Sequence, residues 1–186
     1  MTEANSTRIV TYSRVLRGVC AIGFALVPLL LGGMWFLGSE AFLLSGEAAY
    51  YLVPHGVGFE VGRLTPALRL AGFMISMIPG GLTMWALWHL AKLFGCFSRL
   101  QFFTSDSVRS FRVFATAVLL TGVARPLAGG LMSMATTFGN APGNRYLSFT
   151  AGNSELTAVF LGFVLLVVAL VMEQGQRISE ENQEII

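Results

Sequence analysis

Apolar and polar positions in this chain alternate on the scale of whole segments rather than single residues. Gly18–Ser39, Leu70–Ala91 and Leu156–Met172 carry no charged side chain. A bilayer-spanning helix needs about 20 apolar residues, with a working range of roughly 17–25, so the first two runs are ample and the third is minimal. A fourth run, Ser110–Ser133, is interrupted by Arg125-Pro126. A charge at that depth costs on the order of 3 kcal/mol on insertion scales, so an embedded arginine is rare, partnered and functional. Proline frees the carbonyl of Gly122, which neighbouring helices or water must then satisfy. Tolerating Arg125 gives four spans; rejecting it leaves three and an interfacial helix. The four-span reading is preferred. It describes an all-α integral membrane protein, one membrane domain over residues 1–186, with helices at about 13–37, 66–94, 104–133 and 154–176 and a helical tail to 186.

The segment edges carry their own signals. Met1–Tyr12 is polar and reads as loosely ordered. Thr65-Pro66 is a helix start, a hydroxyl cap followed by proline at the first helical position, and Gly95 marks the end of that helix. Thr104 caps the third helix, Phe103 packs on Val108 as a staple, and Asp106 complements the helix dipole. Asn153 or Ser154 caps the fourth, with Glu155 in its first turn. Glu173 with Arg177, and Arg177 with Glu181, are spaced to pair along the tail helix. Pro28, Pro79-Gly80 and Pro126 fall near mid-depth in three helices and predict kinks. Gly72, Gly80, Gly122 and Gly129 predict close helix approach. In the 38–65 connection, alternation around Pro54-His55-Gly56 predicts a short β-hairpin. The Asn140–Asn144 cluster predicts a second hairpin in the other extracytoplasmic loop.

Composition agrees with a membrane class: 54% hydrophobic and 12% charged residues, against roughly 25% charged in soluble domains. A net charge of +2 is too small for a nucleic-acid surface, so no direct nucleic-acid binding is expected. Placement of the basic residues says more. Arg8, Arg14, Arg17, Lys92, Arg99, Arg109, Arg112 and Arg177 fall on one side, and Arg63, Arg69 and Arg145 on the other. The positive-inside bias then puts both termini in the cytoplasm of a multi-pass inner-membrane protein. In that reducing compartment Cys20 and Cys96 are not expected to form a disulfide. The first apolar run is longer than a signal-peptide core and reads as an uncleaved span.

The chemical inventory points away from an enzyme. Asp106 is the only aspartate, which excludes proteolysis by an aspartate pair, and there is no Cys-x-x-Cys. His55 and His89 are predicted at opposite membrane surfaces and cannot share a metal or haem iron. Ser76 and Thr83 are poorly spaced for activation by His89. No catalytic residue, metal site or cofactor is therefore assigned. Arg125 is the candidate site residue. At 1.5 Å per residue from Ser110 it lies about 22 Å in, toward the outer third. Its nearest acid by depth is Glu155, with Glu47 and Glu60 as alternatives. Two readings stand: a substrate or ion contact in an outward cavity, or a structural ion pair or snorkelling side chain.

Phe103, Thr104, Asp106, Val108 and Arg109, within FSRLQFFTSDSVRSFR, fit a pattern of Gly-x-x-Phe, a Thr or Ser, an acid, and Val-Arg before an apolar helix. Leu100 stands where that pattern has glycine. In the tail, Arg177, Ile178, Glu180, Glu181 and Asn182 fit a basic and an apolar residue before Glu-Glu-Asn. Both stretches resemble the bacterial domain-of-unknown-function 2975 family. The resemblance implies a small four-helix integral membrane protein without an assigned reaction, often encoded beside a very small helix-turn-helix regulator.

Two functional classes are expected. The first is a non-enzymatic membrane partner or sensor docking another protein through Arg99, Asp106, Arg109, Arg177, Glu180, Glu181 and Asn182. The second is an oligomeric small transporter or channel, self-associated in the lipid bilayer, with Arg125 and the proline kinks lining its path.

Overall fold

Each apolar run folds as a helix, the form in which a single segment satisfies its own backbone in hydrocarbon. In the computed structural model α1 spans Glu3–Gly32 and continues as a π-turn over Gly33–Leu37; α2 spans Pro66–Phe97, α3 Ser105–Thr137 and α4 Asn153–Glu184. The structure describes residues 3–39, 65–101, 104–140, 145, 147–149 and 151–184, with side chains from 8 to 178. All four helices are long and apolar enough to cross a membrane.

Helices adjacent in sequence pack on one another, α1 on α2, α2 on α3 and α3 on α4. The contacts run antiparallel: Gly23 meets Leu87 while Gly72 meets Trp35, and Gly122 meets Val159 while Gly162 meets Leu119. Both termini therefore share one end of the molecule, the terminal end, with the 98–104 connection. The other two connections lie at the loop end. The outer faces of α1 and α4 expose large apolar side chains such as Leu29, Phe160 and Val171, a surface suited to lipid rather than water.

The helices approach closely because their facing positions are small. The buried face of α3 is built from Ser107, Ser110, Ala115, Ala117, Gly122, Ala124, Ala128, Gly130, Ser133 and their neighbours. A Cβ on Gly162 would stand 2.6–2.8 Å from Leu119 backbone and Cβ atoms, and one on Gly122 would stand 2.8 Å from Val159. Hydroxyls on these faces are satisfied within their own helices. Thr121 Oγ1 donates to Ala117 O, Thr136 Oγ1 to Met132 O and Thr83 Oγ1 to Pro79 O, at 2.8–2.9 Å.

Trp35 closes the loop end. It is fully buried, its ring lies on Gly72 in the space a Cβ would occupy, and Met132 of α3 joins the same cluster. Its Nε1 donates to Ser76 Oγ at 3.1 Å. The wider π-turn leaves carbonyls at the end of α1, and Arg69 Nη1 donates to Trp35 O and Gly38 O at 2.9 and 3.0 Å. One guanidinium from α2 thus caps its neighbour.

Several sequence expectations are corrected. α1 begins at Glu3 rather than near residue 13, because the polar stretch extends the helix beyond the apolar run. α2 continues past Gly95 to Phe97 and runs as helix through Pro79-Gly80. Thr65 does cap α2, accepting from Leu68 N at 3.3 Å. Thr104 precedes α3 but its hydroxyl donates to Ser107 Oγ instead of capping a backbone N–H. The Phe103 staple lies outside the described residues.

No strand occurs among the described residues, so the hairpins are not supported. The first, around Pro54-His55-Gly56, lies outside those residues. In the second loop the described residues turn to α3 instead of each other: Ser148 N donates to Ser133 Oγ at 3.0 Å, Phe149 lies on Gly130 and Arg145 lies over Phe138. Gly129, expected at a helix contact, faces open space.

After α2, Leu100 adopts φ 59°, and Gln101 N reaches back to Cys96 O at 3.1 Å. This left-handed turn is the conformation glycine adopts without penalty, which accounts for glycine at this place in the resembled pattern. Replacing the exposed Leu100 by glycine should raise stability by about 1 kcal/mol in detergent denaturation. Gly162→Val should lower it by roughly 1–3 kcal/mol through overpacking, whereas Gly129→Ala should be neutral or stabilising. Equal losses at positions 129 and 162 would refute this account of helix contact.

Candidate functional site

Arg125 and Glu155 meet at the loop end because α3 and α4 run antiparallel and Glu155 occupies the first turn of α4. Arg125 Nη1 lies 4.0 Å from Glu155 Oε1. That exceeds the roughly 2.7–2.9 Å of a charge-assisted hydrogen bond, so the attraction is Coulombic. The two ends are unequal. Glu155 is buried, and its Oε2 accepts from Gly152 N at 2.8 Å, completing the N-terminus of α4 in the manner of a capping-box acid. The Arg125 side chain is 41% exposed, and its N–H groups have no hydrogen-bond partner among the described residues.

The pair stands on the wall of a cavity of about 380 Å³ that also takes in Leu30 and Met34 of α1, Ser76, Pro79, Gly80 and Thr83 of α2, and Gly129 and Met132 of α3. The wall is mainly apolar, with polar groups at Ser76, Thr83 and the ion pair. Pro79 and Gly80 are on it, as is the uncovered Gly129; Pro28 and Pro126 are not. Glu47 and Glu60, the alternative partners for Arg125, lie outside the described residues.

The remaining sequence candidates gather at the terminal end, though not in one place. Arg99, Asp106 and Arg109 line a second groove with Arg17, His89 and Lys92. Arg177 instead pairs with Glu173 at 3.3 Å, and Glu173 also lies 3.6 Å from Arg112 of α3. Glu180, Glu181 and Asn182 continue the α4 helix. Cys20 and Cys96 are free thiols. Among the described residues no three His, Cys, Asp or Glu side chains gather to hold a metal ion.

Trp35 and Arg69 were missed as organising residues. The signal available was an arginine one turn after the Thr65-Pro66 start, placed to meet the end of the preceding helix. Gly152 as the partner of Glu155 was missed too, with Asn153 or Ser154 expected as the cap, although an acid three residues after a glycine that precedes a helix can accept its N–H.

The architecture defines a multi-pass membrane protein of four helices. A family model described as "Protein of unknown function (DUF2975)" matches residues 44–186, and the chain belongs to that family. No curated protein and no solved structure matches the chain.

A double-mutant cycle tests the pair. With Arg125 partly solvated, Arg125→Gln and Glu155→Gln should couple by about 0.5–1 kcal/mol. Glu155→Ala should cost more than Glu155→Gln, because only the amide retains an acceptor for Gly152 N. Strict additivity in detergent melts would remove the ion pair from the account, and equal costs for the two Glu155 variants would remove the cap.

Proposed function

We propose that this protein is a non-enzymatic membrane sensor. A small amphipathic ligand with an anionic group enters the loop-end cavity. Its charge meets Arg125, and its apolar part lies along Leu30, Met34 and Met132. The polar connection from Arg99 to Arg112 and the tail from Arg177, both at the terminal end, present the bound state to a protein partner. In this reading the terminal end is cytoplasmic, as the distribution of basic residues favours, and the membrane is a bacterial inner membrane. By analogy with the family, the partner is a small helix-turn-helix regulator.

The observation that carries this reading is the partly exposed guanidinium of Arg125, held only by a long ion pair to Glu155, on the wall of a mainly apolar cavity. Such sites use a few polar groups to orient a ligand that apolar side chains bind. α3 supports the link between ends, since one continuous helix carries Arg125 at one and Asp106 and Arg109 at the other. A second reading, an oligomeric transporter or channel, is favoured by Pro79, Gly80 and Arg125 sharing that wall, because interrupted helices commonly line transport sites.

Decanoate serves as a probe anion. It should raise the melting temperature of the reconstituted protein and leave that of Arg125→Ala unchanged, while solute flux into proteoliposomes stays at the level of empty liposomes. Flux that is lost in Arg125→Ala would establish the transporter instead. Topology is checked separately: cysteines introduced at Ser6 and Ser179 should be shielded from an impermeant reagent and one at Gly143 labelled. External labelling at Ser6 or Ser179 would reverse the orientation.

A further inference from the structure

The groove at the terminal end shares Arg99, Asp106 and Arg109 with the surface that the sensor reading gives to a partner. It also holds Arg17, Lys92 and an apolar wall that this reading does not use. It measures about 780 Å³ and lies among α1, α2, α3 and the turn after α2. Four cations line it, Arg17, Lys92, Arg99 and Arg109, against one carboxylate, Asp106. Three elements and a turn deliver these charges to one place, so this is not a run of basic residues on one solvated face. None of the four has a carboxylate within 4.0 Å among the described residues, whereas Arg112, Arg125 and Arg177 each do. Four cations brought together with one carboxylate between them still repel one another, and an anion relieves that repulsion.

The rest of the groove names the kind of anion. Its walls continue from the charged rim into apolar surface at Phe24, Leu87 and Trp88. The rings of Phe24 and Trp88 pack 6.0 Å apart, and Lys92 Nζ lies 5.4 Å from the centre of the Trp88 ring. Trp88 is 52% exposed, and tryptophan is a residue that favours membrane interfaces. A soluble phosphate ester would use the rim and leave the apolar wall uncovered. A phospholipid matches both parts, its phosphate at the cations and its upper acyl chain against Phe24 and Trp88. Basic pockets between membrane helices take anionic head groups for this reason.

We propose that this groove is a binding site for an anionic phospholipid, with Arg17, Lys92, Arg99 and Arg109 around the phosphate and Phe24 and Trp88 along the chain. Arg99 reaches the rim from the turn that follows α2, beside the left-handed Leu100.

The test is a thermal-melt titration of the full chain, purified in neutral detergent, with short-chain phosphatidylglycerol, short-chain phosphatidylcholine, inorganic phosphate and pyrophosphate in separate arms. Phosphatidylglycerol should raise the melting temperature saturably, and phosphatidylcholine at the same concentration should not. The half-saturating concentration should rise at least tenfold in Arg99→Gln with Arg109→Gln. It should not change in Arg8→Gln with Arg14→Gln, which removes two charges at the same end but outside the groove. If the double variant of the groove does not fold, Trp88→Ala supplies the second measurement, weakening the response to lipid through the apolar wall alone. Equal responses to the two lipids, or equal weakening by the Arg8 and Arg14 changes, would overturn the proposal. A response to pyrophosphate as strong as that to phosphatidylglycerol would assign the groove to a soluble phosphate ester instead. A lipid response that emerges only on removing residues 180–186, together with loss of self-association, would assign it to the acidic tail of a second copy.

Discussion

Close approach of helix backbones through small side chains is the constraint from which the other contacts follow. Lipid gives apolar helices little reason to prefer each other over acyl chains, so association rests on packing. Where Gly162 admits Leu119 and Gly122 admits Val159, α3 and α4 come near enough for a side chain on one to meet a charge on the other. Larger residues there would separate the helices and take Arg125 away from Glu155. The same logic holds at the other seam, where Gly72 gives the Trp35 ring its place and so brings Arg69 to the end of α1.

Polar groups inside the helical layer are handled in two ways. Most hydroxyls turn back onto carbonyls three or four residues earlier, while Ser76 and Ser133 also accept from Trp35 Nε1 and Ser148 N. Charged groups are few and are placed at the ends, where they complete backbone that a helix terminus leaves open: Arg69 at the carbonyls of α1, Glu155 at an amide of α4. Arg125 departs from this rule. It completes no backbone, and it stands on a cavity wall with only the long ion pair to Glu155.

Span number and approximate limits were legible because charge-free length is nearly sufficient to specify a membrane helix. Ends were less so. α1 extends to Glu3 because helix persists into polar sequence once nucleated, and no apolar pattern marks that extension. The expectation of a second hairpin arose from the Asn140–Asn144 turn cluster between apolar residues, but Ser133 and Gly130 offered that loop a hydrogen bond and a seat for Phe149 that no local pattern encodes. Arg125 was legible from the sequence because it breaks an apolar run. The basic groove was not, since Arg17, Lys92, Arg99 and Arg109 are scattered along the chain and converge only through helix packing.

The seams are fastened differently along their lengths. Ion pairs join α3 to α4 at both ends, Arg125–Glu155 and Arg112–Glu173. Among the described residues the directional contacts of α1 with α2 lie at the loop end, around Trp35, while toward the terminal end rings and methyl groups meet without orientation. A tilt of α1 about Trp35 would therefore act as a lever. At 1.5 Å of rise per residue Arg17 sits about 27 Å along that lever, so a tilt of about 5° displaces it by about 2 Å. A rearrangement too small to disturb the pivot would thus change the spacing of cations at the far end.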